Sequence, residues 1–116
     1  MLAASLPLLT FRPSSENTFR MNDIKWLDEA LADLDYIGWY IALDNERTAG
    51  QIVRRIVEAV AMLSWHPKLG RQLADGDTRR LTITGTPYIA FYRLRENVEI
   101  LAVLHGAQKW PDRFPQ

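Results

Sequence analysis

The sequence predicts an α+β domain of order β-α-α-β-β-β, a helical hairpin packed on one face of a small antiparallel sheet. Three observations predict it. Between Leu27 and Leu63, apolar residues recur at three- and four-residue spacing in two stretches, interrupted at Asp44-Asn45. Between Thr78 and His105 the pattern changes to three strand-like runs, broken at Gly85-Thr86-Pro87 and at Arg95-Glu96-Asn97. The chain has 116 residues, enough for one core. Short connections make the helices antiparallel neighbours and pair the three runs as hairpins.

Each element follows from local chemistry. Asn22 to Trp26 reads as a short strand with Ile24 and Trp26 on one face. The first helix carries Leu27, Ala30, Leu31, Leu34, Ile37 and Ile41 on its apolar stripe. Asp28 and Glu29 suit its amino terminus, where the macrodipole favours negative charge. Gly38 is a poor helix former and marks close approach of a neighbouring helix. Asp44-Asn45 offers caps for a second helix with apolar residues at Ile52, Val53, Ile56, Val57, Val60 and Leu63. It ends by Ser64-Trp65-His66, because the residue before Pro67 disfavours helical angles. Lys68 to Gly76 is a loop. Thr78 to Thr84 alternates across two faces, Tyr88 to Leu94 is apolar enough to be a central strand, and Val98 to His105 is another apolar run.

Composition narrows the chemistry. Cysteine is absent, so disulfides and thiol nucleophiles are excluded. Two histidines, His66 and His105, do not suggest a metal site. No apolar run reaches membrane-spanning length. The net charge is zero but unevenly spread. Met21 to Glu46 holds seven acids and one base, whereas Arg47 to Arg95 holds nine bases and three acids. That distribution fits two faces of opposite sign.

The basic part holds the candidate functional residues. Arg79 and Arg80 point to opposite sheet faces if their strand is regular. A guanidinium recognises phosphate or carboxylate through a planar pair of hydrogen bonds. Pairing with helix acids is the ordinary alternative. His105 ends a strand and titrates near neutrality, so it could shuttle a proton; a hydrogen-bonded structural histidine is the ordinary alternative. Lys68, Arg71 and Lys109 add charge near the sheet. Trp65 and Trp110 could stack on a base, anchor a protein partner or cap the core. No carboxylate pair, phosphate-binding glycine loop or nucleophilic triad is grouped in the sequence. The residues alone describe a basic sheet surface suited to phosphate or to an acidic partner.

Over residues 24–111 the order and wording of the elements resemble the RelE/ParE superfamily of type II toxins, most closely its ParE-like branch. The carrying residues are Trp26, Ala30-Leu31-Ala32-Asp33-Leu34, Tyr40-Ile41-Ala42, Pro67-Lys68-Leu69-Gly70-Arg71, Thr78-Arg79-Arg80-Leu81, Pro87-Tyr88-Ile89, Phe91-Tyr92-Arg93 and the run Ile100 to Pro111. Residues 1–20 fall outside the match and are expected to be a poorly ordered extension, with Met21 an alternative start; the other reading is a short extra strand or arm that covers an exposed edge of the sheet. The resemblance implies a cytoplasmic toxin without metal or cofactor, held in a hetero-oligomer by a cognate antitoxin. The acidic helix face and the apolar groove around the hairpin would receive part of the antitoxin tail. ParE-like members inhibit DNA gyrase by binding it. RelE-like members cut mRNA on the ribosome, using an arginine on the strand after the turn, about where Tyr88 stands here. Arg79, Arg80, Lys68, Arg71, Trp110 and Lys109 are therefore the expected target- or partner-binding residues. A nuclease would instead use Arg79, His105, Arg71 and Lys109. A non-toxic remnant that still binds an antitoxin is the third possibility.

Overall fold

A computed structural model of the protein describes residues 22–116. The expected extension over residues 1–20 and the alternative start at Met21 lie outside the described residues.

The helical hairpin forms where the periodicity places it. Helix α1 spans Asp28–Ala42, with Asp28 and Glu29 in its first turn. Helix α2 spans Glu46–Ala61, and the side chain of Asn45 caps it by accepting the backbone N–H of Thr48 at 3.0 Å. A single 3-10 turn, Met62–Ser64, follows. A Cβ on Gly38 would lie 3.2 Å from a Val53 methyl, so glycine lets α1 and α2 approach closely. The buried line is narrower than the apolar stripe. Ala30, Ile37, Ile56 and Val60 are buried, whereas Leu31 and Val57 are exposed.

The sheet has five strands: β1 (Ile24–Trp26), β2 (Arg71–Gln72), β3 (Arg79–Thr82), β4 (Tyr88–Leu94) and β5 (Val98–His105). Their spatial order is β1-β5-β4-β3-β2. The pairs β2–β3, β3–β4 and β4–β5 are antiparallel, as short connections require. Two features correct the expectation. First, β1 pairs parallel to β5, with Ile24 opposite Val98, so the sheet is mixed. No tight turn joins these two strands, and their direction is set by the intervening chain. Second, a two-residue strand, β2, forms inside the expected loop, too short to show alternation.

Strand β4 is central and covered on both faces. Tyr88, Ala90 and Tyr92 pack with the helices in the larger core. Ile89 and Phe91 face the other side, where Leu73, Ala102 and Phe114 make a second cluster. That cluster exists because the carboxyl-terminal segment folds back over the sheet. Phe114 stacks on Phe91 at 4.4 Å between ring centroids, and Trp110 meets Phe91 edge-on at 5.0 Å. Arg113 anchors the segment through two hydrogen bonds to the Glu29 carboxylate, at 2.9 and 2.6 Å.

A register shift between Phe91 and Tyr92 marks a bulge in β5 at Leu101. Just beyond it, the Val103 N–H donates to the Asp33 carboxylate at 2.9 Å, tying α1 to the sheet. Burial raises the Asp33 carboxyl above the usual range; the Val103 bond opposes this and the Glu29 charge adds to it. The folded state therefore holds this proton more tightly than the unfolded chain does. The site's contribution to stability falls as pH rises through the raised pKa. Asp33→Asn keeps an acceptor without the charge, and should flatten this pH dependence while raising stability near neutrality. Asp33→Ala should cost about 1–3 kcal/mol by orphaning the Val103 N–H. Urea unfolding of the three proteins across the acidic-to-neutral range measures both effects. Equal pH slopes in wild type and Asp33→Asn would contradict them.

Candidate functional site

The site is built around Tyr92. Its phenol is buried, which raises its pKa and keeps it protonated, despite the opposing effects of the Gly70 N–H and of Arg79. The hydroxyl donates to the Pro67 carbonyl at 2.8 Å and accepts the Gly70 N–H at 2.7 Å. Arg79 lies across from Tyr92 on β3 and donates to the carbonyls of Gly70, at 2.7 Å, and Lys68, at 3.4 Å. A Cβ on Gly70 would sit 2.7 Å from both the Arg80 carbonyl and the Tyr92 ring. Only glycine fits there without displacement. This clamp fixes residues 67–70 and delivers Arg71 to the sheet.

Arg71 then stands directly opposite Arg80 in the β2–β3 pair. Like charges directly opposite on neighbouring strands are unfavourable. Among the described residues neither arginine enters an ion pair. Arg80 lies over the Trp110 ring at 5.8 Å from its centroid. Together with Gln72, Leu73 and Gln116 these residues line a cleft of about 320 Å³. It is a cationic, aromatic-backed surface, capable of holding a phosphate or a carboxylate.

The other expected residues are dispersed. Arg79 is committed to the loop carbonyls on the helix side of the sheet. Lys68 contributes a carbonyl to that bond and has an exposed side chain. Lys109 is exposed beside Trp110. His105 lies across from Tyr88 on the helix side, with the rings edge-on at 5.4 Å. Its Nδ1 accepts the Ala107 N–H at 3.0 Å, leaving the proton of the neutral ring on Nε2. Arg79 pairs with Tyr92 and His105 with Tyr88. Those ends of β4 are about 13 Å apart along the strand. The structure therefore brings Arg71, Arg80 and Trp110 together and leaves His105 elsewhere. Tyr88 also faces the helices. The outward-facing residue at that end of β4 is Ile89, buried under the carboxyl-terminal segment.

The sequence did not single out Tyr92 or Gly70 as organisers of this surface. Their proximity depends on a fold-back that no spacing shows. Among the described residues no group of side chains could hold a metal ion, and no helix is long and apolar enough to cross a membrane.

A five-stranded mixed sheet with a helical hairpin on one face and a cationic edge defines an α+β fold of the ParE/RelE kind. Its relatives make the class specific. Residues 24–110 match the family model described as the ParE toxin of the type II toxin–antitoxin system parDE, so the chain belongs to the ParE toxin family. It is 43% identical over 88 residues to Y4kP of Sinorhizobium fredii (strain NBRC 101917 / NGR234), whose toxin designation is itself provisional. That match covers 76% of this chain and 92% of the relative. A structure from the chromosomal ParDE toxin–antitoxin system of P. aeruginosa superposes with a TM-score of 0.64 at 30% identity, covering 73% of this chain and 96% of that one. A chain of the RelBE2 toxin–antitoxin complex from Mycobacterium tuberculosis shares the fold, with a TM-score of 0.57 at 23% identity, over 79% of this chain and 99% of that one.

Arg71→Glu should convert the opposed pair into an attractive one and stabilise the fold by about 0.2–1 kcal/mol. Thermal unfolding at low salt, repeated at high salt, would register the gain and its screening. A loss of stability on this substitution would refute the repulsion. Tyr92→Phe should cost more than a typical surface change, about 1–3 kcal/mol for the polar groups it strands.

Proposed function

We propose that this protein is a growth-arresting toxin that acts by binding DNA gyrase and is neutralised by a cognate antitoxin. Membership of the ParE family supports this assignment. The observation that carries it is the separation of the cations from the titratable group. Cutting a phosphodiester needs an acid and a base within reach of the phosphate that the cations hold. Here Arg71 and Arg80 share one surface, and His105 lies on the opposite face near the far end of β4. Binding needs only the cationic cleft and its aromatic anchor. Arg71, Arg80 and Trp110 form the centre of the target-binding surface, with Lys68 and Lys109 at its flanks and Arg79 holding the loop that shapes it.

A partner that silences the toxin has surface to cover. Tyr36, Trp39 and Tyr40 on α1 and Leu43 just after it are exposed, with Tyr36 stacked on Tyr40 at 6.0 Å. Exposed apolar surface of this kind marks a site for association. The neighbouring acids Asp35 and Asp44 suit a partner that brings basic residues.

Purified protein is expected to block gyrase supercoiling or to trap cleaved DNA. Arg80→Glu should weaken the effect roughly tenfold or more, as expected for a desolvated hot-spot charge. His105→Ala should leave it unchanged. Normal supercoiling at saturating protein rules out gyrase as the target. If induction instead produces cut transcripts that disappear in the Arg79→Ala/His105→Ala double variant, the protein is a ribosome-dependent nuclease. Harmless strong expression without an antitoxin would identify a binding remnant.

A further inference from the structure

Strand β2 covers only the first half of β3. Arg71 pairs with Arg80 and Gln72 with Arg79, and among the described residues no strand continues alongside Leu81 and Thr82. The cause is the Tyr92 clamp: Gly70 donates its N–H to the phenol and so leaves the line of the ladder. The Ile83 N–H bonds to the Tyr88 carbonyl of β4. Backbone groups alternate sides along an antiparallel strand, so Thr82 turns its N–H and C=O away from β4, towards the open side. Natural sheets normally block or cover such an edge. Among the described residues, Arg55 is the one side-chain donor beside it, binding the Thr84 carbonyl at 3.1 Å.

The open edge lies in an apolar trough. On the helix side, Ala59, Met62, Leu69 and Leu81 line a cleft of about 370 Å³ that reaches Thr82 and Thr84. A second cleft of about 430 Å³ shares Leu69, Leu81, Thr82 and Thr84 and is bounded by Arg71 and Arg80. Leu69 is 57% exposed and Met62 47%. The rim carries Arg55, Arg71 and Arg80 against the single acid Glu58. A free backbone donor and acceptor, an apolar floor and a cationic rim are the three components of strand addition.

We propose that the free edge of β3 at Thr82 receives an extended acidic segment of a protein partner as an added strand. Its apolar side chains would enter the trough of Leu69 and Met62, and its carboxylates would meet Arg71 and Arg80. The acidic residues relieve the repulsion between these two arginines. A basic segment would be repelled by the arginines, and a helical one has no free backbone groups for the edge. The inference presupposes the toxin assignment only in naming the antitoxin as the natural source of that segment.

The test uses the full chain and labelled synthetic peptides of about eight residues, the length of a typical strand. One alternates glutamate with valine. A second replaces glutamate with lysine. A third keeps the acidic sequence but N-methylates alternate amides, removing ladder donors without changing charge. Fluorescence anisotropy should show saturable binding of the acidic peptide. Charge reversal and N-methylation should each weaken it roughly tenfold or more. Thr82→Pro should do the same, because a proline at this outward-facing position removes the donor without touching the β3–β4 ladder. Absence of binding by the acidic peptide overturns the proposal, as does equal binding of its N-methylated form, which would mean charge attraction alone. Because both peptide arms use the unaltered protein, the conclusion stands even if Thr82→Pro folds poorly. Growth arrest on induction is a separate readout. A chain that arrests growth but ignores the acidic peptide refutes the edge site alone, and one that binds the peptide without arresting growth refutes the toxin assignment alone.

Discussion

The hydrogen-bonded contact between the Tyr92 phenol and the backbone of residues 67–70 is the constraint on which the candidate surface depends. A phenol buried in an apolar core must satisfy its hydroxyl, and among the described residues its partners are the Pro67 carbonyl and the Gly70 N–H. Satisfying them draws the chain leaving α2 against the underside of the sheet. The space under Arg80 admits no side chain, so the residue there is glycine. Arg79 completes the arrangement by closing over the Gly70 carbonyl. Three consequences follow from this one contact: β2 is only two residues long, Arg71 is set against Arg80, and the remainder of β3 stays open. A single buried polar requirement in the core thus shapes both clefts at the sheet edge.

Much of the architecture was legible in the residues because it rests on local signals. The helical hairpin is written in the spacing from Ala30 to Leu63, its second cap in Asn45, and its close approach in Gly38. The β3–β4–β5 meander is written in its turns. What was not legible depends on distant parts of the chain meeting. The parallel pairing of β1 to β5 joins segments more than seventy residues apart in the register Ile24 to Val98, and no local pattern encodes its direction. The second core is hidden for the same reason. Phe114 lies in the unpatterned stretch Pro111 to Gln116, and its partner Phe91 lies in a strand that already reads as buried. Of the site residues, Arg80, Arg71 and Trp110 could be named from residue type, but which cations share a face could be settled only by register. Alternation correctly separates Arg79 from Arg80, whereas the placement of His105 follows from its pairing with Tyr88.

The two faces of the sheet divide the work. The helix face is committed to stability: it holds Tyr88, Tyr92, Arg79 and His105, each with a partner within the domain. The other face is partly sealed by the segment carrying Trp110 and Phe114, and the Arg113–Glu29 ion pair ties that seal to α1. Both charges are about half exposed, so the pair positions the segment more than it stabilises the fold. What remains accessible lies at the β2–β3 edge, where the positive charge collects. The acidic, aromatic surface of α1 is a separate region, and a wrapping partner could engage both.

The opposition of Arg71 and Arg80 has a consequence for how this sequence changes over generations. A pair that costs folding free energy is retained only while some bound molecule repays the cost. Once that molecule is lost, random substitution at either position tends to improve folding, so neutral or acidic residues accumulate there early, before the core erodes. Across relatives, two arginines at these positions would mark a surface that still meets an acidic molecule, and a relieved pair one that no longer does.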